Sequence, residues 1–169
     1  MSSLLRVVLA AIVIAIAGCA GPTYTVEMEA SGTKVLKGFF HREDMERDPL
    51  FSWYSANYHS YPLDSATVES LKPLVDDVHF VMVLGTWCGD SKREVPHCCR
   101  VFDAAGVKES AVKYFGVDRT KKSGDGTTDT YNVARVPTII VFRGEQELGR
   151  IVEHPRESLE KDLLRLLQR

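Results

Sequence analysis

Cys88 is the residue whose neighbours best equip it for chemistry. It stands in Gly85-Thr86-Trp87-Cys88-Gly89-Asp90-Ser91-Lys92. The apolar run His79-Phe80-Val81-Met82-Val83-Leu84 leads into that stretch and reads as a short buried strand bounded by glycine. Lys92-Arg93-Glu94-Val95 follows as helix-forming sequence. A thiol at a strand–helix junction meets unpaired N–H groups and the positive end of the helix dipole, and both favour a thiolate. The thiolate is the nucleophile of disulfide exchange. Ser91 offers a hydroxyl able to donate to the sulfur. Asp90 adds a negative charge nearby, which Lys92 and Arg93 partly offset.

A second signal lies downstream in Arg135-Val136-Pro137-Thr138-Ile139-Ile140-Val141-Phe142. Proline cannot donate to a strand ladder, so Pro137 belongs at the start of this strand. Trp87, Cys88, Gly89, Lys92 and Pro96, followed by Val136-Pro137-Thr138, resemble the thioredoxin-like superfamily, whose motif is Trp-Cys-Gly-Pro-Cys-Lys. The resemblance covers roughly Ser65–Gln168. It implies a helix-kinking Pro96 and a cis Pro137 facing Cys88. It implies Cys88 and Ser91 as catalytic positions, with Trp87, Gly89, Asp90, Val136 and Pro137 forming the substrate surface. It implies no metal and no cofactor.

The departures from the motif carry their own meaning. Asp90 replaces its proline and Ser91 its second cysteine, leaving an atypical Cys-Gly-Asp-Ser, monothiol site. Met82 stands where thioredoxins keep a buried Asp, so the proton shuttle for dithiol turnover is missing too. Cys98 and Cys99 lie ten and eleven residues beyond Cys88 on the same helix. At 1.5 Å per residue that is about 15 Å, while a disulfide needs Cα atoms within ~7 Å. Neither can release a partner bound to Cys88. Cys98 falls at an apolar core position and is expected to be an inert buried thiol, with Cys99, one step around, nearer the surface.

The 169 residues are 44% hydrophobic and 26% charged, which suits one globular domain with a real core. A net charge of −2 gives no reason to expect nucleic acid as a partner. Hydropathy is concentrated at the front. Arg6 precedes the apolar run Val7–Ala17, shorter than the roughly 20 residues of a spanning helix. The run ends in Ile16-Ala17-Gly18-Cys19, which resembles a bacterial lipoprotein signal. That resemblance implies a leader over 1–18, acylation of Cys19 and a membrane-anchored protein of the cell envelope. Ala20 is not the Asp that retains proteobacterial lipoproteins at the inner membrane, so the outer membrane, facing the periplasm, is favoured. Lipidation leaves Cys88, Cys98 and Cys99, an odd number in a disulfide-permissive compartment.

The elements that must position the site are legible in outline. Residues 19–33 read as a tether, and 34–63 as an N-terminal extension. Within it, Lys34–Phe40 alternates as a strand and His41–Asp48 is a charged, solvated face. Phe51, Tyr54, Tyr58 and Tyr61 recur at helical spacing beside Trp53. Such a helix either packs on the domain body or forms a platform for peptide or glycan, and amphipathic spacing favours packing. Residues 64–169 form the thioredoxin-like domain. Asp64 or Ser65 caps a helix with Val68, Leu71, Leu74 and Val75 inward, and Pro73 ends it. A longer helix runs from about Gly89 to Ala105 and stops at Gly106. Ala111–Val117 is a strand, and Arg119–Ala134 a flexible connection with a short helix at Asp129–Val133. Gly144-Glu145 turns into a strand at Leu148–Val152. Pro155 opens a last helix with Leu159, Leu163, Leu166 and Leu167 inward.

This order predicts an α/β, thioredoxin-like three-layer fold: a mixed sheet with helices on both faces, parallel pairs through the crossovers and an antiparallel edge. Three functions are open. The first is thiol–disulfide exchange through one cysteine, with protein or small-molecule thiols as partners. The second is a non-catalytic binding module at the membrane. The third is a copper carrier, suggested by His97-Cys98-Cys99 but lacking the Cys-x-x-x-Cys pair of such carriers.

Overall fold

The computed structural model describes residues 23–169, so the leader and Cys19 lie outside the described residues. Six strands form one mixed sheet: β1 (Thr23–Met28), β2 (Lys34–Phe40), β3 (Val78–Leu84), β4 (Val112–Gly116), β5 (Thr138–Arg143) and β6 (Gln146–Val152). Their order across the sheet is β1-β2-β4-β3-β5-β6. β3 is central and reads as a continuous apolar run because both its faces are covered. Phe80, Met82 and Leu84 enter one core, and Val81 and Val83 the other.

The larger core lies under α1 (Arg42–Glu46), α2 (Trp53–Ser60), α3 (Ser65–Leu71), α4 (Gly89–Ala105) and α6 (Leu159–Leu167). Met45, Tyr54, Val68, Phe102 and Leu163 meet the sheet there. The opposite face is closed more thinly. Val117, Val133 and Val136 cover Val81, Val83 and Ile140, from a segment whose one helical turn is α5 (Thr127–Thr130). Gly124, Gly126 and the polar residues between Asp118 and Thr130 leave no apolar stripe for a longer helix there.

Among the described residues only β3 and β4 pair in parallel, joined by the crossover through α4. β2 runs antiparallel to β4, and β5 and β6 continue antiparallel on the other side. The expectation of several parallel pairs is corrected accordingly.

The expected tether is also corrected. Residues 23–28 form β1, which pairs antiparallel with β2 along its whole length. Val26 and Met28 are exposed, so β1 is held by its backbone ladder rather than by an apolar pattern. The extension is not a separate unit either. Leu36, Phe40 and Phe51 belong to the main core. Tyr61 donates to Glu160 Oε2 at 2.8 Å, and the Asp64 N–H donates to Glu160 Oε1 at 3.0 Å.

Several local signals act as their chemistry requires. Asp64 caps α3 by accepting from the Thr67 N–H at 3.2 Å. Pro73 sits in a 3-10 turn that ends that segment. Gly106 takes φ 82 after α4, in the left-handed region where glycine is least costly. The aromatic helix packs inward, with Tyr54 buried and stacked on Tyr58 at 6.3 Å. Two boundaries move. The short helix is Thr127–Thr130 rather than Asp129–Val133, and α6 is opened by Ser158, which accepts from Lys161 N–H, rather than by Pro155.

β2 enters the sheet through a close backbone approach. A Cβ on Gly116 would stand 2.1 Å from the Leu36 carbonyl oxygen. The obstruction is backbone and cannot swing aside. Gly116→Ala should therefore lower stability by about 3 kcal/mol, the upper end of overpacking costs. A denaturant midpoint unchanged from wild type would contradict this account of the β2–β4 contact.

Candidate functional site

Cys88 immediately precedes the first turn of α4, in extended backbone at φ −82 and ψ 129. Its N–H donates to Gly85 O at 2.9 Å, and its carbonyl accepts from the Lys92 N–H at 3.0 Å. Its half-buried thiol donates to the Val136 carbonyl at 3.5 Å. The Val136–Pro137 peptide is cis, the configuration the resemblance implies. One contact thus brings the stretch Trp87, Cys88, Gly89, Asp90 and Ser91 against Val136 and Pro137. Gly89 is exposed at the start of the helix, leaving an approach to the sulfur.

Ser91 does not do what its position suggests. Its hydroxyl is buried and accepts from the Gly85 N–H at 3.2 Å, instead of donating to the sulfur. A buried N–H left without an acceptor is costly, and this one lies where β3 stops and the ladder ends. Asp90 pairs with Arg93 at 2.9 Å, and Arg93 also reaches the buried Glu94 at 2.7 Å. Arg93 is therefore the cation that answers Asp90. Lys92 forms no ion pair among the described residues.

Trp87 forms the wall beside the thiol and is held on three sides. Its indole N–H donates to Val117 O at 2.9 Å. Gly85 lies against the ring so closely that a Cβ would stand 2.7 Å from Cε2. The Arg119 guanidinium covers the ring at 5.1 Å. Arg119 is itself forked onto Glu29 at 2.6 and 2.8 Å. Glu29 follows β1, in the stretch expected to be a tether. Ninety positions separate the two residues, and no sequence pattern links them. Thr86 also belongs to the site, its buried hydroxyl bonded to the backbone of β2. A threonine beside the end of a fully apolar strand is a signal, because its hydroxyl must find partners if buried.

Cys98 and Cys99 are both 0% exposed. Cys98 occupies the core as expected. Cys99 does not lie nearer the surface, because α2 covers that side of α4 and the Tyr114 hydroxyl stands 3.6 Å from its sulfur. Burial pushes the Cys98 thiol far above its ordinary range. Burial pushes the Cys99 thiol up to about 11, against the pull of the Arg42 guanidinium. Among the described residues no group of three or more His, Cys, Asp and Glu is placed to hold a metal ion.

No family model matches this chain, and no curated protein matches it. Solved structures do. A protein of unknown function from Pseudomonas aeruginosa is 16% identical, with a TM-score of 0.52 over 69% of this chain and 82% of that one. An HIV epitope-scaffold matches with a TM-score of 0.52 and 16% identity, again over 69% and 82%. Mitochondrial thioredoxin 3 from Saccharomyces cerevisiae, in its oxidized form, is 24% identical over 57% of this chain and 86% of that one, with a TM-score of 0.34. The first two likenesses, at 16% identity, are likenesses of fold alone. The fold is a mixed six-stranded α/β architecture consistent with a thioredoxin-like one.

Three outcomes follow from the geometry. In the native protein, Cys98 and Cys99 should resist alkylation at pH 7–9 while Cys88 labels. In the unfolded chain such thiols ionise near 9.0. The folded state holds protons that the unfolded state releases, so this contribution to stability is complete below pH 9 and is lost as pH climbs toward 11 and beyond. Denaturant titrations across that range should show the decline, and Cys99→Ser should flatten it. Rapid native labelling of Cys99 would contradict the enclosure by α2. In a Trp53→Phe background, Arg119→Ala should make Trp87 fluorescence more sensitive to acrylamide, with Glu29→Gln changing it in the same direction. Identical quenching in all three proteins would remove the clamp.

Proposed function

We propose that this chain is a monothiol thiol–disulfide exchange protein anchored in the bacterial cell envelope. One observation carries the reading. Among the described residues, the single accessible thiol sits at the N-terminus of a 17-residue helix, hydrogen-bonded to the carbonyl before a cis proline, and the other thiols are sealed in the core. The sulfur stands at the head of α4, where no side chain caps the first turn.

The exchange needs no external oxidant. The Cys88 thiolate attacks one sulfur of a disulfide R–S–S–R′, forming Cys88–S–S–R and releasing R′–S⁻, which takes up a proton. Return requires an external thiol, since Ser91 offers no sulfur. That thiol attacks the sulfur of R in the mixed disulfide and leaves with R as a new disulfide, and Cys88 departs as thiolate. Trp87, Gly89, Asp90, Val136 and Pro137 are the surface against which R is held. Substrates are protein or small-molecule disulfides, and no metal or cofactor takes part. The signal ending at Cys19 supports a lipid anchor, and Ala20 supports the outer membrane facing the periplasm.

A second reading has one observation in its favour. The Ser91 hydroxyl is tied to Gly85 rather than to the sulfur, which leaves the thiol less activated. The site would then be a non-catalytic docking surface. Reactivity of Cys88 no greater than that of a free thiol would select this reading.

The deciding experiment is mass spectrometry after mild oxidation of the full-length protein with glutathione disulfide. One glutathione adduct should form and should vanish in Cys88→Ala. Ser91→Cys should instead form an internal disulfide with Cys88, one helical turn away. An internal Cys88–Cys98 or Cys88–Cys99 disulfide in folded wild-type monomer would overturn the mechanism.

A further inference from the structure

We propose that a groove along β6 and α6 receives an acidic segment of the protein held in mixed disulfide with Cys88. This rests on the thiol-exchange reading above. Two adjoining hollows, of about 200 and 340 Å³, share Arg150, Ile151, Arg156 and Asp162 as a common wall. One closes against Arg165 and Arg169, and the other opens at Arg135 and Glu153. Arg135 directly precedes Val136, whose carbonyl holds the Cys88 thiol at 3.5 Å. The Glu153 N–H donates to the Pro137 carbonyl at 2.7 Å. Two residues at this end of the groove, Arg135 and Glu153, thus adjoin in chain or by hydrogen bond the Val136–Pro137 pair that meets Cys88.

Its charge is not self-cancelling. Arg150 is forked onto Glu147 at 2.7 and 2.6 Å, and Arg135 reaches Glu153 at 3.0 Å. Arg165 bonds Asp162 at 3.1 Å and also pairs with Glu157. Asp162 is buried and turned inward, with its second oxygen accepting the Arg156 N–H at 2.6 Å. Two exposed guanidiniums are left over. Arg156 makes no side-chain hydrogen bond or ion pair among the described residues, and Arg169 donates only to the Leu148 carbonyl at 3.0 Å. A Cβ on Gly149 would stand 2.5 Å from Leu166 Cδ2, so the glycine is what lets α6 close on β6 and carry Arg169 alongside.

An open guanidinium fork fits a carboxylate in two bonds. β6 is a free sheet edge, and Val152 on it is 38% exposed, giving an extended chain both backbone and apolar contact. A membrane surface is the poorer occupant. β6 lies at the opposite edge from β1, next to which the proposed lipid anchor would sit.

The test uses three disulfides with the full-length protein: a small uncharged aromatic disulfide, and two otherwise identical peptides whose activated cysteine is followed by Glu or by Lys residues. At low salt the Glu peptide should react with Cys88 about tenfold faster than the Lys peptide, the low end of electrostatic steering. High salt should collapse the ratio. Arg156→Glu should bring it to one or below, and Arg156→Gln should lower it part of the way. Arg156 has no side-chain partner to lose, so both variants keep their packing. Equal peptide rates in wild type, or a ratio untouched by both variants, would overturn the groove while leaving the exchange reading intact. No reaction with any of the three disulfides would overturn that reading, and the groove with it. If Arg156→Glu instead abolishes retention of a Cys19→Ser chain on anionic vesicles while the peptide ratio stays at one, the groove is a lipid site and the proposal falls.

Discussion

One buried hydroxyl ties the reactive turn to the sheet. Thr86 Oγ1 donates to Lys34 O at 2.8 Å and accepts from the Leu36 N–H at 3.3 Å, joining the end of β3 to β2 across a stretch where those strands are not neighbours. Leaving such groups without partners costs about 1–3 kcal/mol each, so the turn cannot slide without orphaning them. Everything at the site hangs from this position: the Gly85 N–H bonded to Ser91, the indole against Gly85, and Cys88 at the head of α4. The anchorage in turn needs β2 close against β4, and Gly116 is the residue that permits that approach.

How much of this could be read from the sequence divides along a physical line. Contacts local in the chain leave local signals. The apolar run of β3, the stop at Gly106, the Asp64 cap and the proline opening β5 each answer a demand of their own backbone, and each was legible. The parts that were not legible depend on distant partners. β1 is held by ladder bonds on an edge, so most of its side chains face solvent and carry no apolar pattern. Cys99 is sealed by α2, which no helical wheel of α4 can foresee. Glu29 and Arg119 meet across a hairpin and a loop. Ser91 was legible as a position but not as a bond, because its preference for Gly85 over the sulfur is decided by where β3 ends.

The two departures from the two-cysteine pattern point the same way. Met82 is fully buried between Tyr114 of β4 and Ile139 of β5. A carboxylate there would be desolvated among Phe80, Leu84 and Val141, at a cost justified only by a proton it must move. Ser91 likewise completes the backbone of the turn rather than serving the thiol. Both positions have been given over to stability. Under the proposed exchange through one thiol there is no second sulfur to deprotonate, and the strand beneath the turn can stay dry and apolar. The features that flank Cys88, the helix N-terminus and the Val136 carbonyl before the cis proline, cost the core nothing.

The early start of β1 bears on the proposed anchor. If Cys19 carries the lipid, only Ala20, Gly21 and Pro22 separate it from Thr23. Four residue steps reach at most about 14 Å, so the β1 edge would be held close to the bilayer rather than at the end of a long leash. β6 stands five strand spacings away, roughly 24 Å across the sheet. Cys88 lies between, at the end of the central strand, with Trp87 and the Glu29–Arg119 pair on the β1 side and the arginine groove on the β6 side. The geometry then sorts the two flanks. The β1 side is closed by a clamp whose charges already answer one another. The β6 side offers the unanswered cations of Arg156 and Arg169.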